Sequence, residues 1–464
     1  MSDLFYKNEN GWKTNKTSKD EIFAFCDGYK DFLNCAKTER EFAALAEKTA
    51  KENGFVSLWE TKSLKPGDRV YAVNRGKGIM LAVIGTQPLH RGINLIGAHI
   101  DSPRLDLKPM PLYEDSEMAF FKTHYYGGIK KYQWVAIPLA LHGVIVRKTG
   151  EKVSINIGED ENDPVFCISD LLVHLAQEQM TKNAKEVVEG EALNLIVGGR
   201  PLEGEEKDAV KANVLKLLAD KYGVEEEDFL SAELEIVPAG KARDMGFDRS
   251  MILAYGHDDR VCAYPSMMAV LDYEGTPEYT LCCIVTDKEE IGSVGATGMA
   301  SHYLENTVAE LYACTADYCE LAVRRCLRNS RMLSSDVSAG YDPNFASAFE
   351  KKNSAFLGRG ICFNKFTGSR GKSGSNDANP EFMASLRKIM DDAGVAFQTA
   401  ELGRVDLGGG GTIAYLCAKY GMNVIDSGIP VLSMHAPYEV ISKVDLYEGY
   451  RGYCAFLQGA KPVE

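Results

Sequence analysis

No run of about 18 apolar residues occurs in the 464-residue sequence, so it offers no candidate for a membrane-spanning helix. Basic charge is in deficit: 52 Lys and Arg face 66 Asp and Glu, a formal net charge of −14. A nucleic-acid binder would show the opposite imbalance, and an anionic membrane surface would find little to attract it. Cysteine is sparse, with 12 residues and no CxxC pair, which argues against a disulfide scaffold and against a thiolate metal site. Several, such as Cys282 and Cys283 in YTLCCIV, lie in apolar runs and are expected to be buried, reduced thiols. The opening stretch MSDLFYKNENGWKTNKTSKDE has no apolar core and no small-residue cleavage site, so a cytoplasmic location is expected. Internal repeats and low-complexity tracts are lacking as well.

What is present is ordinary soluble composition, long enough for two or three folding units at roughly 100–200 residues each. Ser18 with Glu21, and Thr38 with Glu41, have the spacing of capping boxes and predict helices running to about Asn53. From Tyr71, short apolar runs ending in NLIGAHI read as strands, the last of them buried on both faces. Residues 110–245 differ in kind. WVAIPLALHGVIV and KVSINIG read as strands, ISDLLVHLAQEQM as a helix, and DAVKANVLKLLADKYG as a helix closed by glycine. This stretch is read as an inserted β-rich domain within a discontinuous one, 1–109 and 246–464. After residue 250, strands and helices alternate to a final helix opened by Ser442, which implies an α/β class with a mixed sheet flanked by helices.

Imidazole and acidic side chains recur at the ends of predicted strands. NLIGAHID closes with His99 and Asp101 at i and i+2, on one strand face. MILAYGHDDR closes with His257, Asp258 and Asp259, and CCIVTDKEE with Asp287, Glu289 and Glu290. MLSSD and VIDSGIPVLSMH contribute Asp336 and His435. Ligand sites of open α/β sheets lie beyond the carboxyl ends of the strands, so five such ends could converge on one crevice. Carboxylates packed there would repel one another unless cations neutralised them. Imidazole with carboxylate and no thiolate suits Zn²⁺, with Co²⁺ or Mn²⁺ also compatible. Six candidates exceed one tetrahedral zinc and match two metals sharing a carboxylate, the arrangement that ionises a water for attack on a carbonyl. Each motif alone has a bland reading as a structural pair or a core histidine.

Taken together, GAHIDSPRLDLKP, the HDDR turn, TDKEEIGSVGATG, SSDVSAGYDPNF and IDSGIPVLSMHAPYE resemble the aspartyl aminopeptidase family of dinuclear zinc exopeptidases. The resemblance covers most of the chain. It implies that His99, Asp258, Glu290, Asp336 and His435 bind two metal ions with Asp258 bridging, and that the insert is a dimerisation domain. It further implies Asp101 as the partner that fixes the His99 tautomer, and Glu289 as general base and acid. Which of Glu289 and Glu290 is the ligand rests on the resemblance. A cis peptide between Asp258 and Asp259 is expected on the same ground. The implied activity is removal of the N-terminal residue from short peptides, with a preference for acidic residues, by a homo-oligomer of the tetrahedral dodecamer type. The alternatives are a neutral-residue preference, or another dinuclear hydrolase such as a deacylase or carboxypeptidase.

Other motifs read blandly. GKSGSND, within Arg370–Asp377, lacks the GxxxxGK[ST] spacing, and DLGGGGTIA lacks GxGxxG, so no nucleotide site is expected. Gly408 to Gly411 read as a tight active-site wall. His174 reads as a core or interface residue, although relatives of the family can send an insert-domain loop into a neighbouring subunit's site. Better-known members carry Asn-Gln-Arg-Tyr where this chain has FTGSRGKSGSNDAN. That departure leaves Arg370, Lys372 and Arg404 as the only suggested readers of an acidic side chain.

Overall fold

The computed structural model describes residues 4–6, 8–368 and 371–462. The chain divides into two compact units, one of residues 1–101, 242–434 and 439–464, the other of residues 102–241 and 435–438.

Among the described residues, nine strands of the first unit form a mixed sheet. Its centre is a parallel run of Leu281–Thr286, Asn94–His99, Arg331–Ser335 and Asn423–Gly428. These strands are apolar in their middles because both faces are covered, and the period of two sorts their side chains. Leu95, Cys282, Ile284, Met332 and Val424 pack to one face with helices Tyr303–Thr315 and Glu320–Arg328. Their neighbours Ile96, Cys283, Val285, Leu333 and Ile425 pack to the other with helices Lys19–Cys35, His257–Leu271 and Lys443–Gly459. All twelve cysteines are free, and Cys282 and Cys283 are buried in these layers. Among the described residues no helix is long and apolar enough to cross a membrane.

A second, five-stranded sheet carries Met251–Ala254 beside Glu439–Ser442. The HDDR turn therefore leaves a different sheet from the motifs of His99, Glu289 and Asp336, shares its sheet with the strand Pro430–Leu432 that precedes His435, and heads helix His257–Leu271. The second unit is a six-stranded antiparallel sheet running from Lys152–Ile157 to Leu195–Gly198, with helix Ala209–Tyr222 closed by Gly223.

Local expectations met different fates. Thr38 accepts the Glu41 N–H while the Glu41 carboxylate accepts the Thr38 N–H, a complete capping box; Ser18 supplies only its own half. Ser442 stands at the last helix's N-cap without a side-chain bond. The helix expected in ISDLLVHLAQEQM is replaced by turns and one short 3₁₀ segment, Gln179–Thr181. There Asp170 accepts the Leu171 N–H and the Gln179 amide, competing with helical bonds, and Leu172, Val173 and Leu175 stay exposed. Without a surface to pack on, an amphipathic pattern does not hold a helix.

Thr38→Ala is expected to cost about 1 kcal/mol of stability, read as a lower urea midpoint with unchanged slope. An unchanged midpoint would show that the cap adds nothing.

Candidate metal centre

His99 is the last residue of a wholly buried strand, and its ring is 2% exposed. Its Nδ1 lies 3.0 Å from the Asp101 carbonyl oxygen and 3.3 Å from Asp101 Oδ1. A proton on Nδ1 donates there, leaving Nε2 as the free lone pair. Asp101 does a second task that adjacency in sequence does not announce. Its carboxylate accepts the backbone N–H of Glu289 at 3.1 Å and of Glu290 at 3.2 Å. One side chain thus ties the His99 strand end to the loop that carries the two glutamates.

Around Nε2 the carboxylates crowd together. Asp258 Oδ1 is 3.2 Å away, Asp336 Oδ1 3.8 Å and Glu289 Oε2 3.9 Å. Ligand atoms of His99, Asp258 and Glu290 fall within 4.8 Å of one another, as do those of His99, Glu289 and Asp336 and those of Asp258, Asp259 and Asp336. Both glutamates therefore reach the cluster. The Asp258–Asp259 peptide is cis. Asp259, which is not among the ligands the resemblance implies, is itself a member of the cluster and accepts the His99 backbone N–H at 3.3 Å.

The electrostatics are those of a place that needs positive charge. Burial, and then Asp336, Asp101 and Asp258, push Glu289 up to about 8 against the pull of His99. Burial and Asp336 hold Asp259 well above the usual carboxylate range. Burial opposes charge on His99, yet Asp101, Asp258 and Asp336 outweigh it and hold the imidazole well above its ordinary value. The carboxylates attract a proton onto the ring much as they would a divalent cation. This donor set, imidazole and carboxylate without thiolate, fits zinc.

The neighbouring candidates have other duties. His257 is buried between the Tyr29 hydroxyl, 2.9 Å from Nδ1, and the Ile252 carbonyl, 3.2 Å from Nε2; burial lowers its pKa to about 3, and it is a neutral structural residue. Asp287 turns away to Thr297 Oγ1 at 2.6 Å and Lys288 Nζ at 2.7 Å. His435 groups with the second unit, its Nδ1 2.8 Å from the Gly128 carbonyl oxygen. His174 lies exposed in the unwound segment.

The suggested acid readers are less free than their charges imply. Lys372 lies 3.1 Å from Asp377, which also holds Lys365. Strand Ile361–Asn364 runs antiparallel to Asn423–Gly428 and ends with Asn364 opposite Asp426, so the chain after Asn364 leads away from the strand end that bears Asp336. Arg370 lies outside the described residues. Lys372 and Arg404 line one cavity of ≈250 Å³ with Phe366, Thr367, Leu402 and Gly408, and Glu401 and Asp406 share that lining. The glycine run folds tightly, Leu407 and Gly408 both donating to the Arg404 carbonyl, and leads to Thr412, which donates to buried Asp426.

Asp336 depends on a bare backbone beside it. A Cβ on Gly428 would stand 1.8 Å from the Asp336 carbonyl oxygen, closer than any real contact. Gly428→Ala is expected to displace Asp336 and lower zinc content and turnover by about tenfold or more, while Gly199→Ala, where a Cβ meets open space, serves as the neutral comparison. Full zinc content in Gly428→Ala would refute this.

Residues 32–457 match the family model described as aminopeptidase I zinc metalloprotease (M18). The chain is 57% identical over 462 residues to a probable M18 family aminopeptidase 1 of Clostridium acetobutylicum, covering 98% of this chain and 99% of that one. It superimposes on the crystal structure of an M18 aminopeptidase from Thermotoga maritima with a TM-score of 0.94 and 45% identity, covering 98% of this chain and 100% of that one. The S. cerevisiae mApe1 dodecamer shares the fold at a TM-score of 0.75 and 20% identity, covering 93% and 96%. With the fold, the cluster around His99 and these likenesses in agreement, the chain belongs to the M18 family of zinc metallo-aminopeptidases.

Proposed function

We propose that the protein removes the N-terminal residue from short peptides, using the cluster around His99 to hold two divalent cations. The observation that carries this reading is the gathering of Asp258, Glu289, Glu290 and Asp336 about one imidazole whose tautomer Asp101 sets. His99, Asp258, Glu290 and Asp336 are the proposed ligands, with Asp258 shared between the ions; His435 is assigned on its sequence motif alone. Bound cations would supply an ionised water and polarisation of the scissile carbonyl. Zinc suits the donor set, and Co²⁺ or Mn²⁺ would be tolerated by the same ligands.

This chain's own residues then do the rest. Glu289 lies against His99, its Oε2 3.9 Å from Nε2, and with cations in the cluster holding it as a carboxylate it can accept the proton of water and return it to the leaving amine. Asp101 holds the His99 ring and the Glu289 backbone N–H in one geometry, so the nucleophile's side and the proton carrier stay aligned.

Two finer points rest on separate observations. An acidic-residue preference would require a free cation, but Lys372 already pairs with Asp377, which favours a preference for neutral residues unless Arg404 serves. A homo-oligomer is supported by the apolar run Leu171, Leu172, Val173 and Leu175, all exposed in the second unit. A dodecamer, as in the mApe1 structure, is the assembly we propose, with the cytoplasm as its location.

Zinc-reloaded protein is expected to hydrolyse aminoacyl anilides, and chelation to abolish the activity. Activity that survives chelation would remove the metal mechanism, while cleavage confined to N-acylated or C-terminally free substrates would favour a deacylase or carboxypeptidase. Glu289→Gln is expected to keep its zinc and lose about 10²–10⁴-fold in kcat; wild-type turnover would exclude Glu289 as proton carrier. Comparing Asp, Glu, Leu, Ala and Lys anilides decides the preference. Charging the apolar run with Leu172→Glu and Val173→Glu is expected to lower the particle mass in light scattering, and an unchanged mass would place the interface elsewhere.

A further inference from the structure

The loop from Asp287 to Gly298 that carries Glu289 and Glu290 is not held by its own conformational preferences. Lys288 and Ser293 sit at φ values of 68° and 59°, the left-handed region that residues with a Cβ avoid, and Ile291 and Val294 are exposed. Something outside must fix it, because ordering each such residue costs about 1–2 kcal/mol of backbone entropy.

The turn between strands Arg69–Val73 and Ile79–Val83 meets both limbs of this loop. On the outgoing limb, Lys77 Nζ lies 3.9 Å from Asp287 Oδ2 and 3.3 Å from Glu39 Oε1. On the returning limb, the Asn74 amide donates to the Ala296 carbonyl at 3.3 Å. The limbs are tied to each other as well: Asp287 accepts from Thr297 Oγ1 at 2.6 Å, and its N–H donates to the Thr297 carbonyl at 3.3 Å. Asn74, Lys77, Glu39 and Asp287 are all buried, so their bonds are little weakened by water. The turn reaches so near because of Gly78, where a Cβ would stand 2.8 Å from the Val285 carbonyl oxygen. Glu39 is placed by the capping box, as the first residue of helix Glu39–Glu52.

We propose that Lys77 and Asn74 are positioning residues for the proposed reaction, a splint that holds the Glu289–Glu290 loop from behind. The Lys77 ammonium compensates two buried carboxylates, Glu39 and Asp287, and keeps Asp287 tied at the loop's neck. Asp101 fixes the front of the loop through the two glutamate N–H groups, and the turn fixes its base. Neither Lys77 nor Asn74 is required to touch a metal or a substrate.

The inference rests on the metallo-aminopeptidase reading and is tested on the zinc-loaded full chain. Lys77→Met is expected to lower kcat about tenfold with KM within about twofold of wild type, and to release zinc to a chromophoric chelator about tenfold more readily. Lys77→Arg is expected to recover most of both losses, and Asn74→Ala to reproduce the pattern from the other limb. Wild-type kcat and zinc release in Lys77→Met would overturn the proposal, and so would a Lys77→Arg variant that falls as far as Lys77→Met. If Lys77→Met does not fold, Asn74→Ala decides, and unchanged kcat and zinc release there overturn it. Zinc release needs no peptide, so a wild type that holds zinc but cleaves no aminoacyl anilide counts against the aminopeptidase reading alone.

Discussion

Like charges are buried together around His99. Oxygens of Asp258, Asp336 and Glu289 stand within 3.9 Å of one imidazole nitrogen, and Asp258 and Asp259 are almost without solvent contact. Removing a charged group from water costs several kcal/mol even after relaxation, and mutual repulsion adds to it. No packing of apolar residues removes that cost; it is offset by cations or by protons, which is why burial and neighbouring carboxylates push Glu289 and Asp259 up. The zinc of the M18 family, held at this cluster as proposed, would meet that electrostatic demand.

The scaffold around the cluster has one requirement, to keep repelling groups from moving apart. Ligand side chains on rigid strand ends meet it better than side chains on free loops. His99 and Asp336 follow neighbouring parallel strands whose two faces are packed under helices, and Asp258 enters from the second sheet, its N–H held by Glu439 at 3.0 Å. The two glutamates are the exception, since they stand on a loop. That loop accordingly receives the most bracing, from Asp101 on one side and from the Asn74–Gly78 turn on the other.

Much of this was legible in the chain itself. The parallel strands declared themselves as short apolar runs, and Thr38 with Glu41 announced a helix start by spacing alone. The same-face relation of His99 and Asp101 follows from the strand period. Where reading failed, the cause was long range. ISDLLVHLAQEQM has a helical pattern but lacks, in its own unit, a surface on which to bury it. Asp259 looks like a turn residue until the fold sets it beside Asp336, and Lys372 looks like a free cation until Asp377 is placed against it.

Local chemistry can be read from sequence because capping, strand alternation and motif spacing are set by residues a few positions apart. By these means the sequence determined the α/β class, the strand-end acidic motifs and the family they resemble. Only the tertiary structure decided that Asp258 comes from a second sheet, that Asp101 grips the backbone of Glu289 and Glu290, and that a hairpin turn over 200 residues away from that loop braces it. Those contacts join residues that no period relates, and they form only after the sheets have brought distant segments within hydrogen-bonding range.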